Sequence, residues 1–533
     1  MGPLALFLLT GTLSSLYCLV LILYRLFLSP ISQFPGPKLA ASTFWYEFYY
    51  DVYLQGRYTW KIKELHGKYG SIIRINPEEL HIDDSTFYDQ IYVNSSKRRT
   101  EKWHWSAKMF GTTTAAVGTI DHDLHRMRRA ALNPYFSQAS VGRLESTILS
   151  NVETLIARLR SFAGTGKAVN LSDAFTCLSA DVIGSYAFGK SYGFLQHEDF
   201  MPRWRILMMD LSRSTHLMKQ FGWLYKASTT IPECIVALIH PLTRELFKLR
   251  RSISRQIKNI KIDHKPDNKA TNNPQTVFHG LLDSTLPPHE LSTERLTEEA
   301  LTIIGAGTVT TAHTLAVIFY HVLSNPQILS SLRKELHEIH LQHPKPTWNQ
   351  LTQLPNLNAI INEGLRLSFG VSHRLQRVSP DTPLQYQDWT IPPGTPVSQT
   401  QMFIMTDPAI FSFPNDFLPQ RWLDPNEYNQ HDNNNNNNNN NSNKDEHTAM
   451  AFPDPKETKK YLVPFSRGSR SCLGINLAYA ELFLTVGMLL APVEFGGLEL
   501  RLFETGPEEM EIEHDFFNPS PKVGSKGVRV IVL

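Results

Sequence analysis

The sequence predicts a mainly α-helical protein with a small β region, preceded by an N-terminal transmembrane helix. Three observations lead to this fold class. Apolar residues recur with helical spacing over most of the chain. Strand-like runs are short and stand beside turns. The segment Pro3–Tyr24 contains no charged residue and is long enough to cross a bilayer.

The apolar N-terminal segment is predicted to remain as a membrane anchor rather than to be removed as a signal peptide. It has no basic start, and the bulky residues Tyr24–Phe27 follow it where a cleavage site requires small ones. Arg25 and Lys38 come after the apolar run, so the positive-inside tendency places the rest of the chain in the cytosol.

The chain divides into three predicted parts. Residues 1–28 form the anchor, residues 29–39 form a proline-rich hinge, and residues 40–533 form one folded domain without repeats. The predicted helices of this domain are Tyr58–Tyr69, Leu124–Leu132, Val141–Phe162, Leu171–Phe188, His240–Ile262, Thr297–Leu323, Pro326–His340 and Ile475–Leu490. The predicted strands are Ile72–Ile75, Leu384–Tyr386 and Val528–Leu533, with a turn at Pro392–Gly394.

An unbroken run of asparagines, Asn433–Asn441, lies inside a polar stretch of about residues 426–457. Such a composition cannot bury a core. We therefore predict that this stretch is a flexible surface insertion, which loops outward from the domain.

Charge and cysteine content exclude several classes of protein. The formal net charge at pH 7 is +2, which argues against a nucleic-acid-binding protein that works through bulk charge. The four cysteines, Cys18, Cys177, Cys234 and Cys472, lie far apart and form no CxxC pair. Neither a disulfide framework nor a structural zinc site is predicted, and a reducing compartment fits.

One cysteine stands in a loop bracketed by glycines near the C-terminus. The stretch Phe465–Gly474 places Arg470 two residues before Cys472, and a predicted helix follows the loop. Gly468 and Gly474 permit tight turns and the close approach of a flat cofactor. Peptide N–H groups and a positive helix N-terminus favour a thiolate, and Arg470 offers a donor suited to a carboxylate.

The fully matched pattern Phe-x-x-Gly-x-Arg-x-Cys-x-Gly resembles the haem-binding loop of the cytochrome P450 family of haem-thiolate monooxygenases. The resemblance implies that Cys472 is the axial ligand of the iron of haem b. It also implies that the cofactor site includes Phe465, Gly468, Arg470 and Gly474. A buried, inert cysteine is the alternative, and the length of the match argues against it.

A second motif, Glu363-Gly364-Leu365-Arg366, lies in a helical pattern, where a spacing of three places both charged side chains on one face. A later loop supplies Arg421. The resemblance implies that Glu363, Arg366 and Arg421 form a buried network that fixes the Cys472 loop, since a carboxylate between two guanidiniums is satisfied. Gln420 stands where the family usually has glutamate.

A third motif, Ala306–Thr311, lies in the middle of a long apolar helix and resembles the oxygen-binding kink of the family. The resemblance implies that Gly307 leaves room above the iron. It also implies that Thr310 hydrogen-bonds dioxygen or an ordered water and helps to deliver protons. A packing notch of small residues is the alternative. Val309 replaces the usual acid, so water, Thr308 or Thr311 becomes a candidate for its place in the proton relay.

A predicted helix near His125 resembles the family helix that meets the haem propionates. Arg129 matches the arginine of the family pattern, and His125 stands in the position of its tryptophan, from which it is able to donate a ring N–H to a carboxylate. Arg377 is implied as another propionate contact. Arg126 and Arg128 are predicted either to be solvated or to face an acidic reductase.

Together these resemblances imply a haem-dependent monooxygenase that inserts one oxygen atom of O2 into a lipophilic small molecule. The implied substrate is a terpenoid or polyketide intermediate of fungal secondary metabolism. The implied location is the endoplasmic reticulum membrane, with a single span, lipid contact and the domain in the cytosol. No dinucleotide-binding fingerprint follows a strand. Electrons are therefore expected from NADPH through a separate cytochrome P450 reductase, with cytochrome b5 as an optional second donor.

Three alternatives stay open from the sequence. The missing acid at Val309 favours either a reductase-independent isomerase or dehydratase on the same scaffold, or a non-catalytic haem-binding protein. A membrane-tethered protein without haem requires the match at Cys472 to be accidental. The particular substrate, the site of oxidation and the pathway leave no signal in the sequence.

Overall fold

Helices dominate the computed structural model, which describes residues 2–112, 114–224, 230–231, 241–264, 276–424 and 452–533. The α-helices are α1 Pro3–Leu23, α2 Lys38–Ser42, α3 Trp45–Phe48, α4 Tyr58–Tyr69, α5 Tyr88–Ile91, α6 His104–Ala107, α7 His122–Leu132, α8 Gln138–Arg143, α9 Glu145–Arg160, α10 Leu171–Phe188, α11 Pro202–Gln220, α12 Pro241–Asp263, α13 Val277–Leu282, α14 Thr293–Ser324, α15 Pro326–Gln342, α16 Trp348–Leu351, α17 Pro355–Ser368, α18 Gln401–Met405, α19 Pro455–Lys459 and α20 Ile475–Leu489. Short π-helical turns cover Tyr24–Leu28 and Tyr49–Tyr53.

The strands are short and form small sheets. They are β1 Ile72–Arg74, β2 Leu80–Ile82, β3 Val169–Asn170, β4 Arg377–Val378, β5 Leu384–Tyr386, β6 Trp389–Ile391, β7 Pro396–Ser398, β8 Leu500–Leu502, β9 His514–Phe516, β10 Asn518–Ser520 and β11 Arg529–Val532. The largest described sheet has the order β1-β2-β7-β4, in which only β2 and β7 are parallel. A three-stranded sheet has the order β3-β11-β8, and two hairpins pair β5 with β6 and β9 with β10.

The core has two parts. The larger cluster lies among the long helices, where α14 packs against α10, α17 and α20. The smaller cluster lies beneath the four-stranded sheet and the N-terminal segment. The mainly helical fold with a small β region is therefore confirmed.

Most predicted helices form, with ends shifted by a few residues. Helix α10 matches its prediction at both ends, because Asn170 caps its first turn and Gly189 adopts the left-handed conformation that ends it. The prediction of one helix over Val141–Phe162 is wrong. The N–H of Leu144 bonds the carbonyl of Val141, three residues back, and this interrupts the α-helical pattern between α8 and α9.

The N-terminal helix stands apart from the domain. Pro3–Leu28 has the length and composition of a membrane span, and none of it is buried against the protein. Helix α14 passes the same test by composition, but it belongs to the core. At the end of the span, Arg25 donates to the carbonyl of Ser42, and Arg74 donates to the carbonyl of Arg25. Two hydrogen bonds therefore join the end of this helix to the domain.

The asparagine run Asn433–Asn441 lies outside the described residues. The C-terminal end of the predicted insertion lies within them, and it is folded: Asp454 caps the short helix α19, and the ring of Phe452 lies 5.5 Å from the guanidinium of Arg421. The C-terminal end of this stretch therefore contacts the domain, and the bounds of the insertion stay a prediction.

The cysteines of the described ranges, Cys18, Cys177 and Cys472, are free thiols, and Cys234 lies outside these ranges. Cys177 is buried, and its thiol hydrogen-bonds the carbonyl of Phe200. Burial and nearby carboxylates raise the pKa of Cys177, so this thiol stays protonated and acts as a core residue.

A buried cluster of charged residues joins the N-terminal segment to α11 and to the sheets. Its carboxylates are Glu47, Asp51, Glu79 and Asp515, and the groups that face them are Lys219, Arg374, His216 and His373. Lys219 is fully buried, and its Nζ lies 2.5 Å from Glu47 Oε1 and 2.9 Å from Asp51 Oδ2. Burial lowers the pKa of Lys219, but Asp51 and Glu47 outweigh burial and raise the pKa overall.

Removal of the Lys219 charge is expected to destabilise the fold strongly. In Lys219→Met, Glu47 keeps Arg374, but Asp51 loses its ammonium partner, so the free energy of unfolding should fall by about 3–5 kcal/mol. Urea denaturation of the detergent-solubilised protein at pH 7 measures the change. Lys248→Met is the matched control, because the Lys248–Glu245 pair is exposed and contributes under about 1 kcal/mol. Equal losses in the two variants would contradict this account.

Candidate active site

The Cys472 loop is closed by its own backbone. The N–H of Cys472 donates to the carbonyl of Phe465 at 2.8 Å, and α20 begins three residues after the cysteine, with Gly474 at its N-cap. Gly468 has a φ angle of +74°, and a Cβ atom there would lie 2.3 Å from the carbonyl oxygen of Val93. Only glycine fits at Gly468, which confirms the predicted tight turn.

Gly474 differs from Gly468. Its φ angle is −89°, which any residue adopts, and a Cβ atom there would meet no atom within 4 Å. Leu473 and Gly474 do form the predicted turn, but the turn does not require glycine at Gly474. The open space beside it fits the other half of the prediction, the close approach of a flat group.

The electrostatics of Cys472 combine opposing effects. Burial raises the pKa of the thiol, while the backbone N–H of Gly474 and the charge of Arg129 lower it. Arg470 does not reach the sulfur. Its guanidinium donates to the carbonyls of Thr119 and Ile120, both at 2.7 Å. Burial favours the protonated thiol. The thiolate that the sequence predicts therefore requires a nearby positive group that lowers the pKa of Cys472 by more than burial raises it.

The Glu363 network is buried and fully connected. Arg366 donates to both carboxylate oxygens of Glu363, at 2.8 and 2.7 Å, and Arg421 donates to Oε1 at 3.0 Å. Two donors that the sequence did not reveal complete the site: the backbone N–H of Leu418 at 2.9 Å and the indole N–H of Trp422 at 2.8 Å. Burial raises the pKa of Glu363, but the two arginines outweigh burial and keep the carboxylate ionised.

Gln420 lies next to this network without joining it. Its Oε1 is buried and has no hydrogen-bond partner within the described residues. Gln420 in place of the usual family glutamate therefore leaves the Glu363 network intact. It leaves an unpaired acceptor instead.

Helix α14 carries the threonine motif without a break in its α-helical pattern. The hydroxyl of Thr310 donates to the carbonyl of Ala306 at 2.9 Å, and that of Thr308 donates to the carbonyl of Ile304 at 2.7 Å. Ala306 is exposed although α14 is largely buried, and Gly305 borders open space. Gly305, Ala306 and Thr310 therefore keep accessible surface on a helix that is otherwise largely packed.

Gly307 occupies a different face of the helix. A Cβ atom there would lie 3.0 Å from Cγ1 of Ile183 on α10. Gly307 therefore allows α10 and α14 to approach each other, as the packing-notch alternative expects, and its role above the iron stays a prediction.

Four basic side chains converge near the Cys472 loop: Lys102, Arg129, Arg377 and Arg470. They hydrogen-bond backbone carbonyls, namely those of Val117, Ser471, Gln376 and Thr119, and none of them pairs with a carboxylate of the described residues. Burial and the neighbouring charge of Arg377 lower the pKa of Arg470 to about 9. Burial and the charges of Arg470 and Arg377 also lower the pKa of Lys102.

His125 is buried within this group of cations. Burial and the charges of Arg470, Lys102, Arg129 and Arg377 lower its pKa to about 2, so the imidazole is neutral. A neutral ring still carries one N–H donor. The structure therefore brings His125, Arg129, Arg377 and Arg470 together, as the sequence predicted, and it adds Lys102, which belongs to no recognisable spacing pattern.

Arg128 does not face solvent or a partner, so that prediction is wrong. It is buried and donates to both oxygens of Glu290, at 2.8 and 2.7 Å, and to the hydroxyl of Thr119. Arg126, two residues earlier, is exposed. Arg374, near Arg377 in the sequence, belongs to the buried cluster around Glu47.

The fold is mainly helical, Cys472 lies in a loop with a glycine turn, and a long helix carries the threonine motif. These features define the class of the haem-thiolate enzymes. The chain matches the Cytochrome P450 family model over residues 35–502. The chain therefore belongs to the cytochrome P450 family and, as a member of this family, is a monooxygenase.

Curated relatives cover almost the whole chain. Tryptophan 6-hydroxylase fscE of Fusarium equiseti is 40% identical over 97% of this chain and 95% of its own length. Cytochrome P450 monooxygenase MO6277 of Ascocoryne sarcoides is 40% identical over 99% of both chains. N-acetyltryptophan 6-hydroxylase ivoC of Emericella nidulans is 40% identical over 97% of this chain and 95% of its own length.

The residues present fit the haem that the family implies. Haem carries two propionate carboxylates, and the buried cations around His125 have no carboxylate partner of their own in the described residues. Buried positive charge is costly unless an anion compensates it. The sulfur of Cys472 is the soft ligand that iron accepts from this family's loop. The thiol lies deep in the protein, which raises its pKa, yet the residue borders open space.

Helix α20, which follows the cysteine, contains a buried acid that the sequence did not single out. Glu481 hydrogen-bonds the hydroxyl of Ser179 on α10, and no cation of the described residues pairs with it. Burial raises the pKa of Glu481 from 4.5 to about 8, so the carboxyl group is protonated at neutral pH.

Glu481 is expected to make stability depend on pH. The unfolded chain releases this proton near pH 4.5, whereas the folded protein keeps it up to about pH 8, so stability falls as pH rises between these values. Between pH 6 and pH 8, this group should lower the free energy of unfolding of the wild-type protein by about 2–3 kcal/mol. Glu481→Gln should not show this decrease. Urea denaturation at the two pH values measures it. Glu494→Gln, at an exposed carboxylate, is the control. A pH dependence that survives in Glu481→Gln would contradict the assignment.

Proposed function

We propose that the chain is a membrane-anchored haem monooxygenase that inserts one oxygen atom of O2 into a lipophilic intermediate of fungal secondary metabolism. The observation that carries this proposal is the convergence on the Cys472 loop of cations that pair with no carboxylate of the described residues. A terpenoid or polyketide is the proposed substrate class, and electrons come from NADPH through a separate cytochrome P450 reductase, with cytochrome b5 as an optional second donor. The domain faces the cytosol from the endoplasmic reticulum membrane.

Each site residue has a proposed role. Cys472 is the axial ligand of the haem iron, and Phe465 and Gly468 shape its loop. Arg129, Arg377, Arg470, His125 and Lys102 hold the propionates. The Glu363 network, with Arg366 and Arg421, is structural, because it ties α17 to the loop before Trp422.

The bound haem supplies the activation of dioxygen, and the protein supplies binding, orientation and protons. Thr310 donates its hydroxyl proton to Ala306, which leaves its oxygen lone pairs as acceptors on the face that borders open space. They hold a water or a protonated oxygen in place. Val309 is apolar and packs at the edge of the core, so it neither holds nor moves a proton.

An indole amino acid is a second candidate substrate. The two relatives named as hydroxylases of tryptophan and of N-acetyltryptophan favour it. These two relatives are as similar to this chain as the third, MO6277, whose name states no substrate, so identity alone does not choose between the substrate classes.

A deletion strain and labelled oxygen test the proposal. Deletion should accumulate a precursor and remove a product that differ by one oxygen atom. Microsomes that contain the chain, a fungal cytochrome P450 reductase and NADPH should convert the precursor under 18O2 to a product with one 18O atom. L-tryptophan and N-acetyl-L-tryptophan serve as further probes. Microsomes with Cys472→Ala are the matched control and should form no product.

Other outcomes separate the alternatives. Conversion that persists without NADPH and reductase would contradict a monooxygenase and favour an isomerase or dehydratase. An unchanged metabolite profile in the deletion strain, together with normal haem content, would favour a non-catalytic haem protein.

A further inference from the structure

Two histidines and an aspartate meet inside the buried cluster of charged residues around Lys219. His216 lies on α11, His373 follows α17, and Asp515 lies on β9, so three distant segments contribute one side chain each. One nitrogen of each ring and one carboxylate oxygen of Asp515 lie within 4.8 Å of one another. All three residues are almost completely buried, with at most 1% of their surface exposed. Histidine and aspartate side chains this close together are a candidate metal centre.

The distances between these atoms approach those of a zinc site. His373 Nδ1 lies 3.0 Å from Asp515 Oδ2, and His216 Nε2 lies 4.0 Å from Asp515 Oδ1. Zinc bonds nitrogen and oxygen at about 2.0–2.2 Å, so two ligand atoms of a tetrahedral site are about 3.3 Å apart. Side-chain shifts of about 1 Å therefore bring the three atoms around one ion.

The surrounding cluster carries more negative than positive charge. It contains four carboxylates, and the lysine and arginine that face them within the described ranges are Lys219 and Arg374. Two negative charges of the described cluster are therefore uncompensated when both imidazoles are neutral. Burial and the charge of Lys219 lower the pKa of His373 to about 4, so this ring is neutral at pH 7. Uncompensated charge is costly in the interior of a protein, and one divalent cation balances the excess.

The surroundings of His216 favour a metal ion over hydrogen bonds alone. Its Nε2 bonds the carbonyl oxygen of Asp515, and its Nδ1, 3.3 Å from Asp51 Oδ2, has no hydrogen-bond partner among the described residues. Both neighbouring oxygens are acceptors, whereas a neutral imidazole has a single N–H. A cation at Nε2 leaves the ring proton on Nδ1, where the carboxylate of Asp51 accepts it. Metal-bound histidines commonly donate their second N–H to a carboxylate in this way.

Asp515 is held in place by neighbouring donors. Its Oδ1 accepts from the hydroxyl of Ser372 at 2.9 Å and from the N–H of Phe517 at 3.0 Å, and its Oδ2 accepts from the hydroxyl of Thr59 at 2.7 Å. Hydrogen bonds of this kind fix the orientation of metal ligands. Burial raises the pKa of Asp515, but His373 and His216 outweigh burial and lower it. The carboxylate is therefore ionised, as metal binding requires.

We propose that His216, His373 and Asp515 bind one zinc ion as a structural centre. Their imidazole nitrogens select zinc over calcium and magnesium, which prefer oxygen ligands. The carbonyl oxygen of Asp515, next to His216 Nε2, is placed to be the fourth ligand. The ion joins α11, the loop after α17 and β9, and its charge balances the buried carboxylates. Structural zinc adds directly to the stability of the folded chain.

Metal analysis of the full-length, haem-containing protein tests the site. The protein is solubilised in detergent without a histidine tag, dialysed against chelator-free buffer and measured by inductively coupled plasma mass spectrometry. The wild type should contain about one zinc per chain, and His373→Gln should contain less than about one tenth of that amount and keep its haem. His340→Gln is the matched control, because His340 is also buried but bonds the carbonyl of Leu336. It should keep its zinc.

Thermal denaturation of the wild type gives a readout that does not depend on any variant. Removal of zinc with a chelator should lower Tm by roughly 5 °C, because an ion that binds only the folded state stabilises it. Zinc chloride alone should restore Tm, and magnesium chloride should not. In His373→Gln, neither the chelator nor zinc should change Tm.

Three results would count against the site. A wild-type protein with less than about 0.1 zinc per chain, and with a Tm that added zinc does not raise, would overturn the proposal. A proton on a histidine would then compensate the buried charge. Zinc that persists in His373→Gln would overturn it as well, and a different divalent metal at one per chain would overturn the choice of zinc. These measurements require neither substrate nor reductase, so the proposed function is tested separately.

Discussion

Positive charge concentrates around the Cys472 loop, where no carboxylate of the structurally described ranges pairs with it, and the rest of the site depends on this excess. Burial and neighbouring positive charge lower the pKa values of Lys102 and Arg470. Burial and the charges of these two residues, Arg129 and Arg377 keep His125 neutral. A fold that kept such a group only for stability would place an acid among the cations. The excess is therefore best explained by an anion that the protein binds, and haem propionates have the required charge.

The other buried charges of the molecule show the contrast. Glu363 has four donors, which satisfy both of its oxygens, and Lys219 lies between two carboxylates. These groups are paired inside the protein, and each joins segments that are far apart in the sequence. They position the site without taking part in its chemistry. The buried charged residues thus fall into two groups. Those paired within the chain are structural, and those around the Cys472 loop are functional.

The sequence predicted those parts of the site that depend on local spacing. The turn at Gly468, the pair Glu363–Arg366 and the ends of α10 all follow from residues a few positions apart. It did not predict Lys102, Trp422 or the Lys219 cluster, because their contacts join segments that are distant along the chain. It also did not predict that Gly307 packs against Ile183 of α10, since spacing within a helix does not reveal which face meets a neighbouring helix. The break at Leu144 carries no cap or proline signal and was missed for that reason.

The central claim is that one sulfur atom, that of Cys472, holds a haem iron in this chain. The absorption spectrum of the reduced, carbon monoxide-treated protein tests it most directly. The full-length protein, expressed with ample haem precursor, should show the red-shifted Soret band that a thiolate ligand gives, and Cys472→Ala should lose it. A wild-type band typical of an imidazole ligand, or an unchanged band in Cys472→Ala, would contradict the account.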